Sequence, residues 1–255
     1  MNPDHPSDTL ELSPEQLRLL ALLLEDEGLG APSQPDAILP RSPSGEDRLP
    51  LSFAQQRLWL ADRLEPGSAA YNVPVALRLR GALELRALEG ALGEIVRRHE
   101  SLRTVFAEVD GEPVQTVRAP APVSIEVADL ATLPEEEREE TVRREVRAEA
   151  SRPFDLARGP LLRARLLRTG ADEAVALFTL HHIVSDGWST GVLVREISAL
   201  YDAFSRGEPS PLPDLPVQYA DYAVWQRRTL SGEALEAQLA YWRERLRGAP
   251  SLLEL

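Results

Sequence analysis

The spacing of apolar side chains along this chain predicts alternating helices and strands. Leu85, Leu88, Leu92 and Ile95 recur at helical intervals, whereas apolar residues of 71–79 alternate with other residues, as in a strand. By the same reasoning, helices are predicted at residues 52–63, 84–98, 134–150, 188–204, 217–229 and 233–247. Strands are predicted at residues 71–79, 102–109, 114–117, 123–127, 161–167 and 174–182. This mixture predicts an α/β (α+β) fold in which a mixed sheet is flanked by helices.

Cap and turn residues delimit several of these elements. Ser52 and Gln55 have the spacing of a capping box at the start of the first helix of the main body. Asp110-Gly111 separates two predicted strands and is typical of a tight hairpin turn. Gly170 lies between two further strands, which we expect to form a second hairpin.

The first 49 residues are predicted to form a separate appendage. Residues 13–27 have the pattern of a short amphipathic helix, and residues 30–50 contain five prolines with few apolar side chains. We therefore expect a helix followed by a proline-rich linker at residues 1–49, with the main body beginning at residue 50. The chain ends in the apolar stretch 251–255, as though another element follows it.

Composition excludes several classes of function. The 255 residues carry a net charge of −13, which argues against nucleic acid or an anionic membrane as the main partner. The chain contains no cysteine, and all of its basic residues are arginine, so thiolate and lysine chemistry are excluded. The longest apolar run is the six-residue stretch at 19–24, too short to span a bilayer, and the first residues lack signal-peptide features. We expect a cytoplasmic protein.

Histidine is the scarcest candidate for chemistry, and two of the four histidines are adjacent. His181 and His182 end an apolar strand, and a turn with Asp186 and Gly187 follows. Adjacent strand residues point to opposite faces, so only one imidazole can face a given cavity, which disfavours a shared metal ion. The pair also fits two half-buried strand residues without a function. We interpret His99 as a helix C-terminal residue favoured by the helix dipole, not as a catalytic one.

Four segments, in order, resemble the motifs of condensation domains of nonribosomal peptide synthetases. The first motif is Ser-Phe-Ala-Gln-Gln-Arg-Leu-Trp at 52–59, and the second is Arg-His-Glu-Ser-Leu-Arg-Thr-Val-Phe at 98–106. The third is His-His-x-x-x-Asp-Gly-Trp-Ser at 181–189, and the fourth is Tyr-Ala-Asp-Tyr-Ala-Val-Trp at 219–225. The resemblance covers residues 50–255, about the first half of such a domain.

The resemblance implies a fold and a reaction. Condensation domains consist of two chloramphenicol-acetyltransferase-like lobes with the active site in the channel between them. Residues 50–210 would form the N-terminal lobe, and residues 211–255 would lead towards a second lobe that this chain lacks. The implied reaction is attack of an acceptor aminoacyl thioester amine on a donor acyl or peptidyl thioester, both held on phosphopantetheine arms. The fragment alone is then expected to be inactive.

Roles for individual residues follow from the resemblance. His182 matches the family's second histidine and is the expected catalytic residue, acting as a base or orienting the amine. Gly187 is a candidate backbone contributor, since glycine allows close approach of a ligand or an unusual turn angle. His181 is expected to be a structural neighbour. Asp186 can hold the loop by a hydrogen bond or by an ion pair, and the expected partner is an arginine of the second motif, for which the candidates are Arg98 and Arg103.

The resemblance also implies partners and leaves two alternatives. The expected partners are an upstream donor and a downstream acceptor carrier protein, the second lobe and an adenylation domain, with no tightly bound cofactor and no metal. One alternative is a coenzyme A-dependent acyltransferase of the same superfamily, since His-x-x-x-Asp also occurs there. The other is a non-catalytic half-domain that serves as a docking scaffold.

Overall fold

A computed structural model describes residues 37–41 and 48–250 of the chain. The predicted amphipathic helix at residues 13–27 lies outside the described residues, as do much of the proline-rich segment and residues 251–255. The described residues from Leu39 onwards belong to one compact unit.

The helices and strands follow the predicted order closely. The helices are α1 (Phe53–Leu64), α2 (Leu85–Arg98), α3 (Glu135–Ser151), α4 (Gly187–Ser205), α5 (Tyr219–Thr229) and α6 (Gly232–Arg245). The strands are β1 (Leu49–Pro50), β2 (Asn72–Arg80), β3 (Thr104–Val109), β4 (Glu112–Val117), β5 (Glu126–Asp129), β6 (Leu162–Arg168) and β7 (Glu173–His181). No helix in the described part of the chain combines the length and apolar character that crossing a bilayer requires.

Two predicted strands have different boundaries in the structure. The strand predicted at 102–109 begins only at Thr104, because Glu100–Arg103 forms a 3₁₀ turn directly after α2. That turn buries Leu102, an apolar residue that the sequence pattern assigned to the strand. The strand predicted at 123–127 is shifted to β5, where residues 126–129 pair with β6.

The strands form two sheets rather than one. The first sheet has the antiparallel order β1-β4-β3, and its tight turn places Asp110 (φ 55°) and Gly111 (φ 83°) in the left-handed region, as a two-residue hairpin requires. The second sheet has the order β2-β7-β6-β5. Its pairs are antiparallel except β5-β6, so it is the mixed sheet that the sequence predicted.

Strand β7 is buried on both faces and so divides the core in two. Ala174 and Ala176 pack in one apolar cluster with Leu92 of α2. Val175 and Leu177 pack in a second cluster, which contains side chains of α3. Burial on both faces explains why β7 is a nearly continuous apolar run in the sequence. Even-numbered positions therefore face the α2 side, and odd-numbered positions face the α3 side.

The predicted boundary at residue 211 does not coincide with a gap in the packing. Helix α5 is bonded to the start of α1: Phe53 N donates to Gln226 Oε1 at 2.9 Å, and Arg227 Nε donates to the carbonyl of Leu51 at 2.7 Å. Helix α6, by contrast, has no buried residue. Residues up to α5 thus belong to the body, and the packing thins only at α6.

Candidate active site

A cleft of about 770 Å³ collects side chains from all four motifs. Arg57 comes from the first motif, His99 from the second, His182 from the third and Tyr219 from the fourth. A second cleft of about 440 Å³ lies between β2 and α4, but no histidine of the described residues lines it. The larger cleft is therefore the candidate active site, because it combines an imidazole with apolar walls.

The imidazole of His182 faces the cleft because of the alternation along β7. Leu180 packs against α2 and α4, and His182, two residues further on, lies on the same side just beyond the end of the strand. The backbone N–H of His182 donates to the carbonyl of Tyr71 at 2.8 Å, which continues the β2-β7 pairing. A residue held at the end of an internal strand is rigidly positioned for chemistry.

A single hydrogen bond fixes the tautomer of His182. Its Nδ1 lies 2.5 Å from the carbonyl oxygen of Ser185. Since a carbonyl oxygen only accepts, Nδ1 carries the proton in this contact. The neutral ring therefore keeps its lone pair on Nε2, and the side chain is exposed in the cleft. The arrangement suits a group that accepts a hydrogen bond or a proton.

His181 lies on the other side of the strand, outside the cleft. It is 2% exposed, and its ring meets Phe154 edge-on with a centroid separation of 6.0 Å. Its Nδ1 accepts a hydrogen bond from Ile183 N at 3.1 Å. Burial, assisted by the charge of neighbouring His182, lowers the pKa of His181 to about 4. The ring is therefore neutral at physiological pH and packs as part of the core.

This lowered pKa predicts a pH-dependent stability. The folded protein takes up a proton at His181 only near pH 4, whereas an unfolded histidine does so near its ordinary value of about 6.5. Stability from neutral His181 is therefore present above pH 6.5 and lost as the pH falls towards 4, by about 3 kcal/mol over that window. In denaturant unfolding between pH 7 and pH 4, His181→Asn should lose less stability than the unchanged chain. Equal losses would show that His181 does not titrate in this way.

The predicted ion pair of Asp186 with an arginine is wrong. Asp186 is the N-cap residue of α4, and its Oδ1 accepts from Ser189 N at 2.8 Å and from Ser189 Oγ at 2.6 Å. These hydrogen bonds lower the pKa of Asp186, with a smaller contribution from His182. The Asp186 carboxylate forms the helix N-cap, so helix capping is what stabilises the conformation of the third motif. No arginine of the described residues forms an ion pair with it.

Both candidate arginines have other partners. Arg98 is buried, and its Nη1 donates to the carbonyl of Pro213 at 2.5 Å, while its Nε lies 3.4 Å from Glu196 Oε2. Arg103 bonds to the carbonyl of Arg118 and, at 3.4 Å, to Glu100. Neither arginine lines the cleft. Arg98 instead joins α2, α4 and the proline-rich segment before α5.

Gly187 is the first residue of α4, next to the cleft. Its φ is not in the left-handed region, so the backbone requires no glycine there, contrary to the unusual turn angle considered above. A Cβ added at this position would meet no atom within 4 Å. The space beside Gly187 is thus open to an incoming group. The role of Gly187 as a backbone contributor to the site stays a prediction.

The cleft contains a second imidazole, that of His99, which the sequence pattern assigned to a helix end and not to the site. His99 does end α2, as predicted, but its Nε2 lies 2.8 Å from Glu196 Oε2. Burial raises the pKa of Glu196, yet hydrogen bonds from His99 and Arg98 outweigh it and lower the pKa overall. Glu196 lies on α4, 97 residues further along the chain, and no local pattern marks it.

Two aromatic residues of the cleft wall were also missed as site residues. Tyr219 Oη lies 3.1 Å from Ser52 Oγ and so connects the fourth motif to the first. Burial raises the pKa of Tyr219, so its hydroxyl stays protonated. Trp188 is 83% exposed at the start of α4. The sequence signal that could have identified both residues is that they lie within the third and fourth motifs. Within the described residues, no group of three or more His, Asp or Glu residues is arranged to hold a metal.

Comparison with known proteins identifies the family. The Condensation domain family matches residues 45–255. One of the linear gramicidin synthase proteins of Brevibacillus parabrevis is 50% identical over 236 residues, which is 92% of this chain and 3% of that protein. Phosphinothricin tripeptide synthetase PhsC of Streptomyces viridochromogenes is 46% identical over 244 residues, 96% of this chain and 22% of that protein. The chain thus spans a small part of these relatives.

Solved structures agree with the predicted fold class. The starter condensation domain of rhizomide synthetase RzmA superposes with a TM-score of 0.71 at 24% identity, over 80% of this chain and 49% of that one. The X-domain from teicoplanin biosynthesis superposes with a TM-score of 0.73 at 31% identity, over 84% of this chain and 46% of that one. The chain spans about half the length of each. By sequence and by fold, it belongs to the condensation domain family.

Proposed function

We propose that this chain is the N-terminal lobe of a condensation domain that joins two carrier-bound substrates by an amide bond. The donor is an acyl or peptidyl thioester, and the acceptor is an aminoacyl thioester. Both are held on the phosphopantetheine arms of carrier proteins, one upstream and one downstream. The observation that carries the proposal is that the four motifs, separated along the chain, line one cleft with His182 exposed in it.

The reaction demands little acid or base strength from the protein. The acceptor amine attacks the donor thioester carbonyl, a C–N bond forms and the C–S bond breaks. The amine loses one proton, and the departing pantetheine sulfur gains one, so the proton count balances. A thioester is already activated, so the site has to align the two arms and handle this proton.

His182 is suited to this task by its tautomer. The proton on Nδ1 is held by the Ser185 carbonyl, so Nε2 is the free acceptor in the cleft. Nε2 accepts a hydrogen bond from the attacking amine and receives the proton as the C–N bond forms. Asp186 caps α4 and so fixes the conformation of the turn that follows His182. In this proposal Gly187 leaves room for the substrate beside the helix N-terminus.

Exposed apolar side chains support a second lobe that covers part of this chain. Trp188 at the rim of the cleft is 83% exposed. Tyr241 and Trp242 on α6, and Leu246 at its C-cap, are each more than half exposed, although side chains of this size usually find a partner. The solved domains, which are about twice as long as the matched region, supply enough chain for such a partner.

The test compares this chain alone with the complete domain, meaning this chain joined to a second lobe. Each is incubated with a donor-loaded and an acceptor-loaded carrier protein, and amide product is measured by mass spectrometry. We expect product from the complete domain only, since this chain spans about half the length of the solved domains. A parallel reaction replaces the donor carrier with the same acyl group on coenzyme A.

Each outcome separates the alternatives. Equal rates from the chain alone and the complete domain would overturn the half-site argument. Faster transfer from coenzyme A than from the carrier would favour the free acyltransferase. Carrier binding without any product from the complete domain would favour the docking scaffold.

A further inference from the structure

An arginine upstream of the four motifs is bonded to two residues that are close in sequence to the lining of the cleft. Both the backbone N–H and the Nη1 of Arg41 donate to Asp221 Oδ1, at 3.1 and 2.8 Å. Its Nη2 donates to Glu100. The side chain of Asp221 is only 3% exposed, and that of Glu100 is 18% exposed. Arg41 thus joins two acidic groups that belong to different motifs.

The second oxygen of Asp221 controls the start of α5. Asp221 Oδ2 accepts from Gln218 N at 2.7 Å. The Gln218 side chain donates from Nε2 to the carbonyl of Arg98 at 2.9 Å and accepts at Oε1 from Glu100 N at 3.1 Å. Gln218 and the next residue, Tyr219, both line the cleft. The contact of Asp221 with Gln218 is therefore one of three hydrogen bonds that hold this part of the wall in place.

Arg41 supplies charge that the buried carboxylate requires. Among the described residues, Arg41 is the only ion-pair partner of Asp221, whereas Glu100 also pairs with Arg103 at 3.4 Å. A buried carboxylate that loses its cation is unfavourable, because the interior does not replace the lost hydration. Moving the first turn of α5 outwards would relieve this penalty and would displace Gln218 and Tyr219.

We propose that Arg41 is a positioning residue for the candidate site. It acts through Asp221 on the first turn of α5 and so keeps Gln218 and Tyr219 in the cleft wall. Arg41 precedes residues 45–255, the segment that the family matches, so the functional boundary of the domain lies further upstream. The effect on rate rests on the proposed function, whereas the effect on the wall does not.

The first test measures amide hydrogen exchange in this 255-residue chain. In Arg41→Ala, the amides of residues 218–222 should exchange about tenfold faster or more, because local opening of this turn becomes easier. Arg41→Lys should retain part of the protection. The matched control is Arg48→Ala: Arg48 also precedes the motifs, but its ion pair with Asp110 at 3.4 Å is exposed, so exchange should not change.

The second test asks whether charge compensation is the cause. Asp221→Asn keeps an oxygen for the helix cap but removes the negative charge. The effect of Arg41→Ala on exchange should therefore be smaller in the Asp221→Asn background than in the unchanged chain. Equal effects in the two backgrounds, or equal exchange in the Arg41→Ala and Arg48→Ala variants, would overturn the proposal.

The third test is the rate of amide formation by the complete domain at saturating carrier proteins. Arg41→Ala should lower kcat about tenfold with little change in the KM for either carrier, since small displacements of a site wall disturb alignment. Arg48→Ala should leave both unchanged. Faster exchange with an unchanged kcat would overturn the positioning role. Faster exchange in a complete domain that makes no amide at all would overturn the proposed function instead and leave the link from Arg41 to the wall intact.

Discussion

The His182→Ala variant of the complete domain should form amide product about a hundredfold to ten-thousandfold more slowly than the unchanged domain. The variant removes the free Nε2 acceptor that the Ser185 carbonyl leaves exposed in the cleft. Neither aligned hydrogen bonding to the amine nor proton transfer is then available from this position. Product is measured by mass spectrometry after mixing the two loaded carrier proteins under single-turnover conditions.

Carrier binding provides the control for this loss. His182 is exposed at the end of β7, so its truncation leaves the core intact, and the Kd of each carrier measured by calorimetry should not change. His182→Gln restores a polar side chain but not a base, so partial recovery would assign the main role to orientation. A full rate in His182→Ala would show that the catalytic assignment is wrong.

The Arg98→Ala variant of this chain should lose about 3–5 kcal/mol of unfolding free energy, because it removes one partner from a buried charged network. The Arg98 side chain is 2% exposed, and it bonds to the Pro213 carbonyl and to Glu196. Of the contacts that Glu196 makes with Arg98 and His99, removal of Arg98 leaves only the hydrogen bond to His99, and it releases the segment before α5. Urea denaturation followed by tryptophan fluorescence measures the change.

The preceding residue is the matched control for this prediction. Arg97 also pairs with acidic side chains, at 2.7 Å to Glu94 and 2.8 Å to Asp214, but it is 47% exposed. Surface pairs contribute little, so Arg97→Ala should cost less than about 1 kcal/mol. A similar cost for the two variants would show that burial is not what makes Arg98 important. Arg98→Met, which keeps the packing volume, separates lost packing from the lost charge.

Most of the secondary structure was predictable because its signals are local. The capping box of Ser52 and Gln55 is present as predicted, and so is the hairpin turn at Asp110. The alternation of β7 also places its two histidines on opposite sides. Each of these features depends on residues within a few positions of one another, which periodicity and turn chemistry can detect.

The charged contacts were not predictable in the same way. The sequence suggested an arginine for Asp186, but the structure gives it Ser189, three residues away. The pairs His99–Glu196 and Arg41–Asp221 join residues 97 and 180 positions apart. The chain has many acidic residues, and the sequence does not show which of them pairs with a given arginine. That choice depends on packing.

The sequence by itself determined the order of the elements and the membership of the family, and it predicted which imidazole to test as the catalytic group. These rest on short motifs and on the alternation of β7, whose burial on both faces follows from its apolar run. Only the tertiary structure decided that the motifs share one cleft, that Asp186 caps a helix and that Arg41 pairs with Asp221. Side chains distant in sequence meet only after the sheets and helices have packed, and their partners are fixed by that packing.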